Sequence, residues 1–276
     1  MNHMCGIFAI LNDHIDNKLL KILHREFQKG QSRGPENSHF EKINEQLVFG
    51  FHRLAINGYK LDSSEQPIKV DDCILICNGE IYNWKQLHNT LGIDSTTQSD
   101  CEIIIHLYRK FGIKTALTML DGVFSFVLLD KLTQKLFIAR DPYGVRPLFI
   151  AQSENNICVA SELKMLSKLK LWENYKIQQF PPGTFMHANE SGQIRYHANI
   201  DTENNANTEE LALARIRHDL TCAVEKRVDN ADREFACLLS GGLDSSLITG
   251  IVSKLIGPEN LHTWSIGMKG SEDLKY

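Results

Sequence analysis

Cys5 is the residue whose type and place most directly suit catalysis: it follows Met4 near the chain start and precedes Gly6 and an apolar run. A thiol attacks an amide carbon efficiently only as its thiolate, so it needs a base within reach. With Met4 removed, the α-amine of Cys5 is itself such a base, with an ordinary pKa of about 7.7–8.0. One residue then supplies nucleophile and proton acceptor, and no distant histidine is needed. A second chemical signal lies far along the chain, in Leu238-Leu239-Ser240-Gly241-Gly242-Leu243-Asp244-Ser245-Ser246. A glycine-rich turn between strand and helix points backbone N–H groups at an anion and seats it at the positive helix end. The Lys-Ser/Thr ending of the Walker loop is absent, so this is a different kind of phosphate turn.

The elements that must position these residues can be read from periodicity and caps. Residues 4–11 predict a strand interrupted only by Gly6, and Asp16 opens a helix with Leu19, Leu20, Leu23 and Phe27 on one face, ended by Gly30. Arg33-Gly34-Pro35-Glu36 reads as a turn, and residues 47–56 and 72–78 as strands; Asn78-Gly79, taken alone, is a hairpin signal. Ser99 and Glu102 match a capping box, each side chain satisfying the other's backbone donor, at the start of a helix carrying Ile103, Ile104, Leu107, Tyr108 and Phe111 and stopping at Gly112. Strands at 123–130, 135–140, 148–151 and 157–161 follow so closely that antiparallel pairing is expected. The expected fold is α+β, two layers of sheet with helices outside.

Residues 200–208 form a polar run suited to a linker, after which Thr208 caps a helix with Glu209 and Glu210 in its first turn. A strand ending at Leu239, the loop 240–246, a helix through Ile256 and a strand around 261–267 then read as the opening of a parallel α/β sheet. Two domains are expected, 5–200 and 208–276, the second only begun.

Composition excludes several classes. Apolar residues make up 42% and charged residues 23% of the 276, as in ordinary globular chains. The net charge of −4 gives no reason to expect nucleic acid as a partner. No apolar run approaches the roughly 20 residues of a membrane helix, and no secretory leader pattern is present, so the expected compartment is the cytoplasm. The seven cysteines are odd in number, scattered and without a CxxC pair, which fits neither a disulfide framework nor a protein metal site. Cys73, Cys77 and Cys237 lie in apolar runs and read as small buried hydrophobes.

Taken in order, the residues from Met4 to about Ala198 resemble the class II glutamine amidotransferases, whose N-terminal-nucleophile hydrolase domain begins Met-Cys-Gly-Ile. The resemblance rests on Met4-Cys5-Gly6-Ile7-Phe8-Ala9-Ile10, Arg33-Gly34-Pro35, Arg53-Leu54-Ala55-Ile56, Asn78-Gly79-Glu80-Ile81-Tyr82-Asn83 and Ser99-Asp100-Cys101-Glu102. It continues through Asp121-Gly122-Val123-Phe124, Arg140-Asp141, Gly144, Arg146-Pro147-Leu148, Ser161-Glu162 and Pro182-Gly183. It implies an α-β-β-α sandwich in which Cys5 releases ammonia from glutamine without a cofactor. Arg53 would hold the substrate carboxylate in a bidentate pair, with Leu54, Ala55 and Ile56 beside it, and Asp100 would face the ammonium, assisted by Glu80 and its neighbouring backbone. The Asn78 side chain and Gly79 N–H would form the oxyanion hole, the missing side chain of Gly79 leaving room for substrate.

The loop of Ser240, Gly241, Gly242, Leu243, Asp244, Ser245 and Ser246 resembles the pyrophosphate loop of ATP pyrophosphatases, with Leu239 and Ile266 at the adenine. A class II glutaminase followed by this loop resembles the glutamine-hydrolysing asparagine synthetases. That implies Mg2+-ATP activating aspartate as β-aspartyl-AMP, which ammonia converts to asparagine with release of AMP and pyrophosphate. Expected partners are glutamine, aspartate and ATP, with a homodimer left open. Other synthetases with this domain pair, making β-lactams or modifying peptides, fit the same motifs. The leader Met1-Asn2-His3 and the departures Glu36 and Asn57-Gly58, where the family usually has Asp and an apolar-Asp pair, also admit a non-catalytic amidotransferase-like binding protein.

Family members continue past the acidic segment that Ser271-Glu272-Asp273-Leu274 resembles. These 276 residues are therefore expected to hydrolyse glutamine without aspartate-dependent pyrophosphate release. Intact-mass measurement of an active preparation is expected to show Cys5 as its first residue; full activity in protein retaining Met1 to Met4 would contradict the self-contained nucleophile.

Overall fold

The computed structural model describes residues 4–58, 62–153, 156–167, 169, 175–188, 192–197, 208–268 and 270. It divides into two compact units, Met1–Asn199 and Ile200–Tyr276.

In the first unit, β1 (Gly6–Leu11) has apolar side chains on both faces, and both faces are buried. It pairs antiparallel with β3 (Leu47–Arg53) on one edge and β9 (Ile157–Ala160) on the other. β2 (Asn37–Lys42), β8 (Phe149–Gln152) and β10 (Lys176–Gln179) complete a sheet in the order β10-β8-β9-β1-β3-β2. A second sheet runs β12-β11-β7-β6-β5-β4, from β4 (Ile68–Val70), β5 (Cys73–Ile81), β6 (Gly122–Asp130), β7 (Lys135–Arg140), β11 (Thr184–His187) and β12 (Ile194–Arg195). All pairings in both sheets are antiparallel.

Because strand side chains alternate between faces, each sheet contributes to two layers of core. Ile7 and Ala9 of β1 meet Phe49 and Phe51 of β3 and, from the facing sheet, Ile74, Ile76, Val127 and Leu129. On the other side of β1, Phe8 and Ile10 pack against Leu23 and Phe27 of α1 (Asn17–Gln28). Asp16 starts that helix by accepting from the Leu19 N–H at 2.7 Å. Cys73, Leu75 and Cys77 of β5 turn outward onto Ile103, Ile104 and Leu107 of α3 (Ile103–Phe111), which lies in sequence between α2 (Trp84–Leu91) and α4 (Ile113–Met119). The layering is α-β-β-α.

Several sequence expectations need correction. Asn78-Gly79 is not a hairpin: both residues lie inside β5, where Asn78 faces Ser125 and Gly79 faces Phe124 of β6. Gly79 answers a packing demand there, since a Cβ would stand 2.7 Å from Phe124 Cβ and 2.7 Å from the Val123 carbonyl oxygen. β3 stops at Arg53, three residues before its expected end, and β5 continues to Ile81. β2 and β10 were not anticipated, because Asn-Ser-His-Phe-Glu-Lys and Lys-Ile-Gln-Gln are sheet edges with little apolar surface to bury. The capping box forms only in half: Ser99 accepts from Cys101 N–H at 3.3 Å, whereas Glu102 turns away to other partners.

In the second unit, Thr208 caps α5 (Glu209–Val228) by accepting from Leu211 N–H at 3.3 Å. β13 (Ala236–Leu238) and β14 (His262–Trp264) pair in parallel and are joined through α6 (Leu243–Ile256). The other residues of the expected linker, and the acidic segment from Ser271, lie outside the described residues.

Gly79→Ala is expected to destabilise the first unit by about 1–3 kcal/mol through overpacking against β6, read as a lower unfolding midpoint without ligand. An unchanged midpoint would mean Gly79 serves substrate clearance alone.

Candidate functional site

Cys5 immediately precedes β1, and the surrounding turns hold that strand end in place. Ser161 Oγ accepts from Ile7 N–H at 2.9 Å, and Ser161 N–H donates to the Ile7 carbonyl at 3.0 Å. The buried Arg33 guanidinium donates through Nε to the Cys5 carbonyl at 2.8 Å and pairs with Glu162 at 3.6 Å. The thiol lies against the segment after β3, donating to the Leu54 carbonyl at 3.2 Å and accepting from Leu54 N–H at 3.3 Å. Glu36, one of the departures noted above, shapes the same segment by accepting from Ala55 N–H at 2.7 Å. Arg53 Nη2 donates to the Gly58 carbonyl at 2.8 Å, closing the 53–58 loop. Gly58 itself has φ 61°, and a Cβ there would meet Ser64 Oγ at 2.0 Å, so there is no room for a larger residue at this position.

From the second sheet comes Asn78, which is 1% exposed, with an amide Nδ2 that has no hydrogen-bond partner among the described residues. The backbone just before it is clamped by Gln66, whose Oε1 accepts from Cys77 N–H at 2.6 Å and whose Nε2 donates to the Cys77 carbonyl at 3.0 Å. Asp100, in the 3-10 turn Asp100–Glu102, is 4% exposed and accepts from Ile81 N–H at 2.7 Å. Burial raises its carboxyl to about 7; the Ile81 hydrogen bond opposes this and the nearby Glu80 charge adds to it. Glu80 is paired with the Arg146 guanidinium.

One cleft is lined by Cys5, the Arg53-Leu54-Ala55-Ile56 segment, Asn78, Gly79, Glu80 and Asp100, so every residue marked at the amidotransferase site borders the same space. Met4 and Arg146 line it too, and an Arg146 Nη contacts Met4 Sδ. Burial pushes the Cys5 thiol up to about 11, against the Leu54 backbone hydrogen bond and the Arg146 charge that lower it. Behind Met4, then, the thiol is protonated at neutral pH. Arg33 and Arg146 stood in recognisable motifs but were given no role from sequence. Gln66 carried no signal, because a side-chain amide continuing a strand ladder depends on three-dimensional register.

In the second unit, the loop between β13 and α6 is tied by a 3.0 Å contact between Ser240 Oγ and Ser245 Oγ, and Ser240 N–H donates to Ser245 Oγ at 3.3 Å. Gly242 occupies the N-cap of α6 with no side-chain cap, leaving the helix start open to an anion. Leu239 N–H donates to the Trp264 carbonyl at 2.9 Å and Ser265 Oγ donates to the Leu239 carbonyl at 2.5 Å, which sets Leu239 beside the stretch leading to Ile266. Ile266 is 98% exposed.

An α-β-β-α sandwich with a cysteine at the head of an inner strand is the N-terminal-nucleophile hydrolase architecture. A model of the glutamine amidotransferase domain matches residues 4–208, so the chain belongs to that family, and an asparagine synthase model matches residues 215–276. Similar relatives are the glutamine-hydrolysing asparagine synthetases of Gallus gallus and Homo sapiens, each 37% identical over 300 residues, 98% of this chain and 53% of theirs. The chain spans about half the length of the curated relatives it matches. Among solved structures, a glutamine phosphoribosylpyrophosphate amidotransferase from B. subtilis superposes with TM-score 0.58 at 21% identity, covering 98% of this chain and 70% of that one. An allosteric regulatory enzyme of purine biosynthesis gives TM-score 0.59 at 22% identity, covering 98% and 69%. These two share the fold. No helix among the described residues is long and apolar enough to cross a membrane.

In chain that retains Met4, alkylation of Cys5 by iodoacetamide is expected to quicken roughly tenfold per pH unit between about pH 7 and 10, because only the thiolate reacts. Peptide mass mapping follows the site; a rate flat across that range would mean the thiol is already ionised.

Proposed function

We propose that the first unit hydrolyses glutamine to glutamate and ammonia with Cys5 as nucleophile. The observation that carries this is the convergence on one cleft of a half-buried thiol, a buried amide donor without a partner among the described residues, an arginine and a carboxylate. In this reading Arg53 pairs with the α-carboxylate of glutamine and Asp100 with its α-ammonium, Glu80 adding negative charge from its pair with Arg146. Removal of Met4 frees the Cys5 α-amine, which takes the thiol proton. The sulfur attacks the side-chain amide carbon, and the new oxyanion receives hydrogen bonds from Asn78 Nδ2 and Gly79 N–H. The proton passes from the amine to the departing nitrogen, ammonia leaves, and water hydrolyses the thioester to glutamate and free thiol.

For the second unit we propose the opening of a synthetase site that consumes this ammonia, in keeping with the similar asparagine synthetases. Ser240, Gly241, Gly242, Leu243, Asp244, Ser245 and Ser246 suit the phosphates of ATP, since the start of α6 is uncapped and bordered by small hydroxyl side chains. Mg2+ would enter with the nucleotide, whose phosphate oxygens supply ligands to it. ATP supplies the adenylating power that turns aspartate into β-aspartyl-AMP, the acceptor for ammonia. Seven unpaired thiols fit the reducing cytoplasm.

Glutaminase kinetics on protein processed to Cys5 test the first reading. Arg53→Ala and Asp100→Asn are expected to raise KM for glutamine, consistent with losses of about 2–5 kcal/mol for breaking buried charge pairs, while Asn78→Ala lowers kcat by about 10²-fold. Since an ammonium needs the ionised carboxyl and Asp100 titrates at about 7, KM is expected to climb as pH falls through that value, and Asp100→Asn to abolish that dependence. Wild-type turnover in Cys5→Ala would refute the assignment.

A further inference from the structure

Glu102 is completely buried, yet it touches neither Cys5 nor the cleft. Its carboxylate accepts from Thr96 N–H, Thr96 Oγ, Thr97 N–H and His106 Nε2 at 2.5–3.0 Å, and Ser95 Oγ, 3.1 Å away, shares its one proton between Glu102 and the Thr97 carbonyl. That exhausts the roughly four lone-pair sites a carboxylate offers. Burial disfavours its ionisation, but the bonds from His106, Thr97 and Thr96 outweigh this and hold it near about 2, so it stays an anion at working pH.

Glu102 and Asp100 share one 3-10 turn. At about 120° per residue in such a turn, side chains two positions apart leave on different sides. Asp100 reaches Ile81 and the cleft, whereas Glu102 reaches back to residues 95–97. The next residue of that segment, Gln98, brings its carbonyl oxygen to 3.1 Å from where a Cβ of Gly58 would lie. Gly58 is the residue whose carbonyl receives Arg53 Nη2. One buried anion thus connects the turn bearing Asp100 with the segment abutting the loop that closes on Arg53.

We infer that Glu102 is a positioning residue that sets the spacing between Asp100 and Arg53, and so governs recognition of the amino-acid end of the substrate without acting on its amide end. This rests on the assignment of Arg53 and Asp100 to the two charged groups of glutamine. None of the bonds that hold Cys5, from Arg33 and Leu54, or the backbone before Asn78, from Gln66, is made by the clamp, although its turn also meets β5 through Cys101 Sγ, 3.9 Å from the Gly79 carbonyl oxygen.

The experiment compares Glu102→Gln with Asp100→Asn in this chain processed to Cys5. For Glu102→Gln, KM for glutamine is expected to rise roughly tenfold or more with kcat within about threefold of the parent. Alkylation of Cys5 by iodoacetamide, which has no amino-acid end, should stay within about twofold. Inactivation by a chloromethyl ketone analogue of glutamine, which has that end, should slow by the same factor as KM rises. Equal losses in kcat and in iodoacetamide labelling would overturn the inference, since they would mark general support of the fold. An unchanged KM in Glu102→Gln alongside a raised KM in Asp100→Asn would overturn it while leaving Asp100 in place. An unchanged KM in Asp100→Asn would overturn the underlying assignment as well. Where Glu102→Gln fails to fold, the milder Ser95→Ala/Thr96→Val pair removes two hydroxyl donors and keeps the charge; about a threefold rise in KM supports the clamp, and none overturns it.

Discussion

Burial of β1 on both faces, with hydrogen-bonded neighbours on both edges, is the constraint from which the site follows. Chain termini ordinarily fray, and the nucleophile proposed here, relying on its own α-amine, has to stand at a terminus. The conflict is resolved because the strand starts one residue after Cys5. Ile7 and Ala9 lie between the sheets and Phe8 and Ile10 lie under α1. A one-residue slip of β1 would exchange those two sets and move the thiol off Leu54. Ser161 and Arg33 then fasten the final turn of chain before the core takes over.

Around the cleft, charges are withdrawn from water only where partners meet them. Arg33 has Glu162 and the Cys5 carbonyl, Glu80 has Arg146, and Glu102 has the donors of Thr96, Thr97 and His106. An unpaired buried charge would cost several kcal/mol, so this pairing permits a polar site inside an apolar sandwich. Asp100 and Asn78 are less well served: Asp100 is pushed up to about 7, and the Asn78 Nδ2 has no acceptor among the described residues. An ammonium and a developing oxyanion are the groups that would satisfy them, so folding leaves at these two positions a cost that substrate is proposed to offset.

The second unit has a different character. Two parallel strands are joined through α6, with Leu238 80% and Trp264 70% exposed. Parallel sheets are ordinarily covered on both faces, and here the apolar side chains of the pair face solvent. The loop after β13 is nevertheless held together by bonds of its own, Ser240 to Ser245 and Leu239 to Trp264 and Ser265. Its shape is thus a local property of strand, turn and helix.

The sequence by itself determined what local rules reach. The helix cap at Asp16, the inner strands with their apolar runs and the strand, turn and helix around 240–246 are all written in neighbouring residues. The edge strands β2 and β10 were not legible, because an edge needs little apolar surface and so leaves no period to read. Asn78-Gly79 resembled a hairpin until β6 claimed both residues, and Glu102 resembled half of a cap until residues 95–97 folded back onto it. The gathering of Arg53, Asn78, Asp100 and Arg146 around Cys5 joins segments far apart in the chain. Only the stacking of two sheets brings them together, because a buried charge or amide finds its partner through space and leaves no spacing in the chain to mark it.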